Sequence, residues 1–213
     1  MNILTVNDVT KIINKRKVLS NISLSVPEGS VFALVGTNGS GKSMLLRLLC
    51  GLIHPTSGKV LYRDQVIHQD IFLPPSVGVI IENPGFWQDL SGTDNLKLYA
   101  QIKGIASLKD IQREMTLLGL DLDDRRPVRK YSLGMRQKLG IAQALMENPE
   151  ILLLDEPMNA LDKGTIEIVK SRLLREKANG ITIILTSHRD VDFIDIADYI
   201  VEMEDGKICN EKQ

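Results

Sequence analysis

The sequence predicts an α/β protein: a mainly parallel sheet with helices on both faces, a strand-rich opening and a helical block set into the middle. Three observations point there. The first third of the chain carries strand patterns. After Asn148-Pro149, strand and helix patterns alternate. Between these parts lies a section dominated by helical patterns. The 213 residues allow one large domain or two small ones, and 43% hydrophobic content supplies a real core. Lys plus Arg is 26 against 27 for Asp plus Glu, a net charge of −1. That balance argues against binding a polyanion by bulk charge, and with the apolar content it excludes a disordered chain.

Residues 2–7 and 18–26 alternate apolar and polar, as half-buried strands do. Val31 to Val35 is a short apolar run. A glycine-rich turn follows, then a helical run from Lys42 to Leu52. His54-Pro55-Thr56-Ser57-Gly58 reads as a loop, and residues 59–67 as further strand around Arg63-Asp64. Val77 to Ile81 reads as a buried strand, broken by Asn83-Pro84-Gly85. Helices are expected over 93–103 and 107–119, with Thr93 and Ser107 near the N-caps. The charged stretch Asp121 to Lys130 leads to a helix over 134–147. Strands at 151–154, 181–186 and 199–204 then alternate with helices at 163–178 and 189–197. The densest apolar runs, such as Ile151 to Leu154, are strand-sized, too short to cross a bilayer. The opening residues lack the pattern of a secretory signal. Cys50 and Cys209 match no metal spacing, so reduced thiols in a cytosolic setting are expected, with Cys50 in the core and Cys209 without a role.

Residues 36–43 read Gly-Thr-Asn-Gly-Ser-Gly-Lys-Ser. This fits G-x-x-x-x-G-K-S/T, between an expected strand and an expected helix, the context that the motif requires. Glycines let backbone N–H groups turn inward around phosphate oxygens, and the helix N-terminus adds partial positive charge. The expected nucleotide contacts are Gly36, Thr37, Asn38, Gly39, Ser40, Gly41, Lys42, Ser43 and the next helical residue, Met44. Lys42 would meet the β- and γ-phosphates, and the Ser43 hydroxyl would ligate Mg²⁺. The bland reading, a ligand-free glycine turn, is weak given both flanks.

Ile151-Leu152-Leu153-Leu154-Asp155-Glu156-Pro157 is an apolar strand ending in two carboxylates. Ligands collect at the carboxyl ends of parallel strands. Asp155 would hold Mg²⁺ and Glu156 would polarise an attacking water. Alone, the pair could simply mark an exposed strand end. Beside a phosphate loop, the catalytic reading prevails.

Three further segments occur in order. Ser132-Leu133-Gly134-Met135-Arg136-Gln137 begins 23 residues before Asp155; Asn159-Ala160-Leu161-Asp162 follows that acid; Thr186-Ser187-His188 ends a strand. Singly, Ser132 is an ordinary N-cap, Asp162 a cap or surface acid, and His188 a packed or exposed histidine. Together with the phosphate loop they make the chain resemble, over essentially its whole length, the ATP-binding subunit of an ATP-binding cassette (ABC) transporter. The resemblance implies a P-loop NTPase fold. Residues 1–82 and 149–213 would form a RecA-like core with an N-terminal antiparallel β subdomain, and 83–148 an inserted helical subdomain. It also implies a signature loop at Ser132, Leu133, Gly134 and Met135, which completes the site of an opposite subunit. Asp162 would then be the linking acid between the two sites. His188 would be the switch histidine, catalytic with Glu156 and Lys42. Two cassettes would sandwich two ATP molecules head to tail, closing on ATP and opening on hydrolysis. The dimer would be of identical or of related chains.

Three departures from the family pattern stand out. The usual aromatic beside adenine is replaced near Ile13, which packs without π-stacking and leaves ATP and GTP both open. The glutamine that ordinarily follows the strand at 77–81 is Glu82, a stronger Mg²⁺ ligand if it is not merely a surface acid. The signature has Leu133 where glycine is common, and Met135-Arg136 before Gln137. Ile81-Glu82-Asn83-Pro84-Gly85-Phe86 with the Ser132 segment resembles the bacitracin-resistance and lantibiotic-immunity type, which exports antimicrobial peptides. A separate membrane permease would then dock in a groove over residues 83–98, placing the chain on the inner face of the membrane. Pro84, Gly85, Phe86 and Trp87 are the contact candidates; for the two aromatics, local core packing weighs equally. No nucleic-acid partner is expected. A soluble ABC ATPase acting on ribosomes or DNA is the alternative, against which stand the single cassette, the lack of a long heptad stretch and the lack of basic excess. A small-molecule kinase would leave the Ser132 and His188 segments unexplained.

Overall fold

The computed structural model describes residues 1–82, 85–188 and 193–212. The chain opens with a long antiparallel hairpin, β1 (Asn2–Ile13) and β2 (Arg16–Pro27). Asn14 and Lys15 join the strands with φ of 48° and 65°. Two successive positive φ values suit the twist of a two-residue hairpin, and asparagine tolerates them. β4 (Ser57–Tyr62) pairs antiparallel with β1, and β5 (Gln65–Val66) with β4, completing a four-stranded sheet in the order β2-β1-β4-β5.

The second sheet has six strands in the order β10-β9-β3-β8-β7-β6. β3 (Val31–Val35), β6 (Val77–Ile80), β7 (Ile151–Leu154), β8 (Thr182–Ser187) and β9 (Tyr199–Glu204) run parallel, and β10 (Lys207–Lys212) turns back antiparallel on β9. β3, β7 and β8 are buried along their whole lengths, which explains the unbroken apolar sequences of β3 and β7 and the apolar centre, Ile183 to Leu185, of β8. Their side chains alternate between two cores. Val31, Ala33 and Val35 face the helical block, while Phe32 and Leu34 face the first sheet and α1 (Lys42–Leu49).

α2 (Gly92–Lys103), α3 (Leu108–Leu117) and α4 (Leu133–Leu145) lie in the chain between β6 and β7, which are neighbours in the sheet. α5 (Lys163–Ala178) crosses from β7 to β8. α3 and α5 are joined by a buried ion cluster. Arg172 donates through Nε and Nη2 to Glu114 at 3.2 and 2.9 Å and also pairs with Glu176. Glu114 is fully buried and takes a further bond from Arg113.

The alternating strand–helix reading and the helical middle hold. Ser91 and Ser107 cap α2 and α3; Thr93 falls inside the first turn, where its hydroxyl donates to the Leu122 carbonyl at 2.8 Å. The helix expected over 189–197 is corrected. Residues 189–192 lie outside the described residues, and Phe193 to Ile196 form turns. β10 was not foreseen, because Lys207–Lys212 is an exposed edge strand with one half-buried residue and no apolar alternation. Cys50 is buried in the core and Cys209 is exposed. Among the described residues, no helix is long and apolar enough to cross a membrane.

Candidate functional site

The glycine loop joins β3 to α1 and is held where glycine alone fits. Gly36 has φ 154°, and a Cβ there would lie 2.2 Å from the Met203 carbonyl oxygen. Gly41, at the N-cap of α1 with φ 107°, would place a Cβ 2.8 Å from Leu19. Gly39, by contrast, faces open space. The loop thus sits tightly on β2 and β9 and opens on its outer side. Lys42 Nζ lies inside it, donating to the carbonyls of Gly36 at 2.7 Å and Thr37 at 3.0 Å. Burial pushes the Lys42 pKa down, partly opposed by Glu156 and Asp155. The first turn of α1 carries no acidic residue, so its partial positive charge is not neutralised locally. The buried Ser40 Oγ has no hydrogen-bond partner among the described residues. An incompletely compensated ammonium, an open helix N-terminus and an unsatisfied hydroxyl together suit a phosphate group.

The acids stand at the carboxyl end of β7. The Asp155 N–H extends the ladder to the Ile80 carbonyl at 2.7 Å. The Thr186 hydroxyl, from β8, donates to Asp155 Oδ1 at 2.6 Å and accepts the Glu156 N–H at 2.9 Å. Glu156 has φ 46°, a conformation uncommon for a residue with a side chain. Its Oε2 accepts from the Asn159 amide and lies 3.6 Å from His188 Nδ1. Gln137 Nε2 donates to the Pro157 carbonyl at 3.1 Å, tying α4 to this loop.

Ser43, Glu82, Leu133, Gln137, Asp155, Glu156, Asn159 and Ala160 line one cleft of about 260 Å³. The four metal or catalytic candidates Ser43, Glu82, Asp155 and Glu156 are thereby brought together. Among the described residues, no group of three or more His, Cys, Asp or Glu is arranged to hold a metal by itself. The cleft does offer hydroxyl and carboxylate oxygens, the donors that Mg²⁺ takes when phosphate oxygens complete its shell. Those donors fit the ion. Glu82 presently pairs with Arg47 at 2.5 Å and is 63% exposed.

The other candidates are placed individually. Ser132 caps α4, accepting the Met135 N–H at 3.1 Å. Leu133 is exposed, and Gly134 packs so closely on the loop after β7 that a Cβ would lie 2.7 Å from the Ala160 carbonyl oxygen. Asp162 caps α5; hydrogen bonds from the Thr165 hydroxyl and N–H hold its carboxyl below the usual range. Both residues therefore perform the bland capping task within their own chain. Ile13 ends β1 beside the hairpin turn, partly exposed, and Met44 packs half-buried against the core. Of the groove candidates, Asn83 and Pro84 lie outside the described residues. The two aromatics separate: Phe86 is 5% exposed, whereas Trp87 is 51% exposed and leans on Tyr99 with ring centroids 5.6 Å apart. Fully buried Asn95 holds this segment, accepting from the Trp87 N–H at 2.8 Å and donating to the carbonyls of Trp87 and Ser91.

The sequence reading gave no role to Thr186, Asn159 or Arg47. Thr186 carried a signal, as a hydroxyl in an otherwise apolar run two residues before His188. Arg47 carried none, because its partner Glu82 is remote in sequence.

A family model described as ABC transporter matches residues 19–159. The uncharacterized ABC transporter ATP-binding protein YybJ of Bacillus subtilis is 46% identical, over 94% of this chain and 92% of its own length. The lantibiotic transport ATP-binding protein SrtF of Streptococcus pyogenes is 36% identical, over 99% of this chain and 90% of its own. The bacitracin transport ATP-binding protein BcrA of Enterococcus faecalis is also 36% identical, over 98% of this chain and 68% of its own. In fold, the chain superposes on the dimeric bacterial ABC transporter cassette MJ0796 with a TM-score of 0.89 at 24% identity, covering 99% and 98% of the two chains.

Proposed function

The chain belongs to the ABC transporter family, and from that membership we propose that it is the ATP-hydrolysing subunit of a bacterial exporter for antimicrobial peptides or similar amphipathic molecules. One observation carries the catalytic part: the phosphate-loop Ser43, the strand-end acids Asp155 and Glu156, and Glu82 share a single cleft. The peptide substrate is suggested by relatives named for lantibiotic and bacitracin transport. Residues 1–82 and 149–213 act as the nucleotide-binding core, and 83–148 as the helical subdomain.

The glycine loop and Lys42 hold the phosphates. Ser43, Asp155 and Glu82 are the residues that would hold Mg²⁺, which supplies charge compensation to the phosphate oxygens when bound. Glu156 takes a proton from the attacking water, and His188 steadies it from 3.6 Å. Ser132, Leu133, Gly134 and Met135 present the N-terminus of α4 to the nucleotide of the opposite subunit, of the same or a related chain, and Asp162 links the two sites. Exposed Trp87 meets a separate membrane permease, holding the subunit at the inner face of the membrane.

Phosphate release from Mg-ATP by the purified chain, with Lys42→Ala as control, tests this reading. Release that the control lacks supports it. Equal release by both overturns the phosphate-loop assignment.

A further inference from the structure

We propose that Thr186 is a positioning residue whose single hydroxyl sets both strand-end carboxylates, Asp155 and Glu156. The inference deepens the function proposed above and rests on it. A hydroxyl has one proton to give and lone pairs to accept with. Here the directions are fixed. The Glu156 N–H has only a donor's role, so Thr186 Oγ1 accepts from it at 2.9 Å. The hydroxyl proton then goes to Asp155 Oδ1 at 2.6 Å. The result is a directed chain from the backbone of one acid to the carboxylate of the other, each bond polarising the next.

Both ends of that chain matter to the cleft. Pinning Oδ1 fixes the plane of the Asp155 carboxylate and so decides where Oδ2 points. Holding the Glu156 N–H secures a backbone at φ 46°, which orients the side chain that Asn159 and His188 face. The scaffold behind Thr186 is rigid. The residue is fully buried in β8, paired in parallel register with Leu34 of β3. Its neighbours in the chain, Leu185 and Ser187, are buried too. The hydroxyl is therefore delivered by the sheet itself, from the strand that ends in His188. Asp155 and Glu156 directly follow β7, so the bond also locks the relative height of the two strand ends. The metal-side and water-side acids are thus set by one atom and shift together when it is lost.

The test compares Thr186→Val, which keeps the shape and removes the hydroxyl, with Thr186→Ser, which keeps the hydroxyl. Turnover is read as kcat against Mg²⁺ concentration. Binding of a fluorescent ATP analogue is read separately with Mg²⁺ and with EDTA. Loss of such supporting hydrogen bonds typically costs about 10- to 100-fold in metal affinity or activity. The proposal expects T186V to lose kcat in that range, to need several-fold more Mg²⁺, and to bind the analogue in EDTA as the parent does, with T186S restoring kcat and the Mg²⁺ requirement. Parental kcat and Mg²⁺ requirement in T186V would overturn it. So would a fall in kcat with no shift in Mg²⁺ requirement, since the two acids would then be set independently. Loss of EDTA binding that T186S does not rescue would also overturn it, by showing a folding role. If the parent neither binds the analogue nor hydrolyses ATP, the proposed function itself fails, and that result is distinct from all of these.

Discussion

His188 Nδ1 lies 3.6 Å from Glu156 Oε2, just beyond the ends of adjacent strands that are already bonded through Thr186, two residues before the histidine, and Asp155, one before the glutamate. A histidine and a carboxylate so placed can share the handling of one water proton. Replacing Glu156 by Gln keeps the shape and removes the base. ATP hydrolysis should fall by about 10²- to 10⁴-fold while ATP binding persists. Single-turnover phosphate release and equilibrium binding check the two halves; an unchanged rate moves the base elsewhere.

Lys42 gives a prediction with a pH signature. Burial lowers its folded pKa below the ordinary 10.5, so the folded chain binds this proton less tightly than the unfolded one. Between the lowered value and 10.5 the unfolded state holds more protons at this group, and stability rises with pH. At lower pH the full cost of burying the charge is present. Lys42→Met should therefore raise the thermal midpoint of the nucleotide-free protein at neutral pH, and the gain should shrink as pH rises through that window. The same variant should lose nucleotide binding. Thermal melts across pH, with and without ATP, measure both effects.

In the Arg47–Glu82 pair the carboxylate side is exposed and the arginine only half-buried, and such surface pairs contribute about 0–1 kcal/mol. Arg47→Met should change stability by no more than that. Glu82→Gln should keep the chain active but shift its Mg²⁺ dependence, because a neutral amide is the weaker ligand. Identical metal titrations would reduce Glu82 to a surface acid held by Arg47.

The α3–α5 ion cluster behaves differently because Glu114 is fully buried and Arg172 nearly so. Removing one partner of a buried pair costs about 3–5 kcal/mol. Arg172 keeps Glu176 after Glu114→Gln, so the loss should fall near the lower end of that range. Urea unfolding at constant m-value measures it.

Trp87→Ala should leave hydrolysis by the isolated chain unchanged. A large exposed aromatic at an interface centre contributes about 2 kcal/mol or more, so binding to membranes carrying the permease should weaken by at least tenfold. Co-sedimentation with such membranes reads the difference.

The parallel sheet was legible because β3 and β7 are buried on both faces and read as unbroken apolar runs, and the buried centre of β8, Ile183 to Leu185, does the same. The phosphate loop was legible because Gly36 lies against the Met203 carbonyl, where no side chain fits, and Gly41 holds a positive φ of 107° against Leu19. β10 left no such mark, being an exposed edge strand. The separation of Phe86 from Trp87 could not be read either. Both are aromatic and adjacent, and only the turn held by Asn95 sends one inward and the other out. Thr186 lay in plain view, but its role depends on β7 and β8 being neighbours, which local pattern does not encode.

The central claim is that this cassette drives a membrane subunit with ATP. The most direct measurement is recovery of tagged Glu156→Gln protein from native membranes in mild detergent with Mg-ATP, followed by identification of what comes with it. The account predicts a polytopic membrane protein, retained with Mg-ATP and diminished by Trp87→Ala. Recovery of ribosomes or DNA-bound factors alone would contradict it, leaving the ATP chemistry in place but assigning it to a different task.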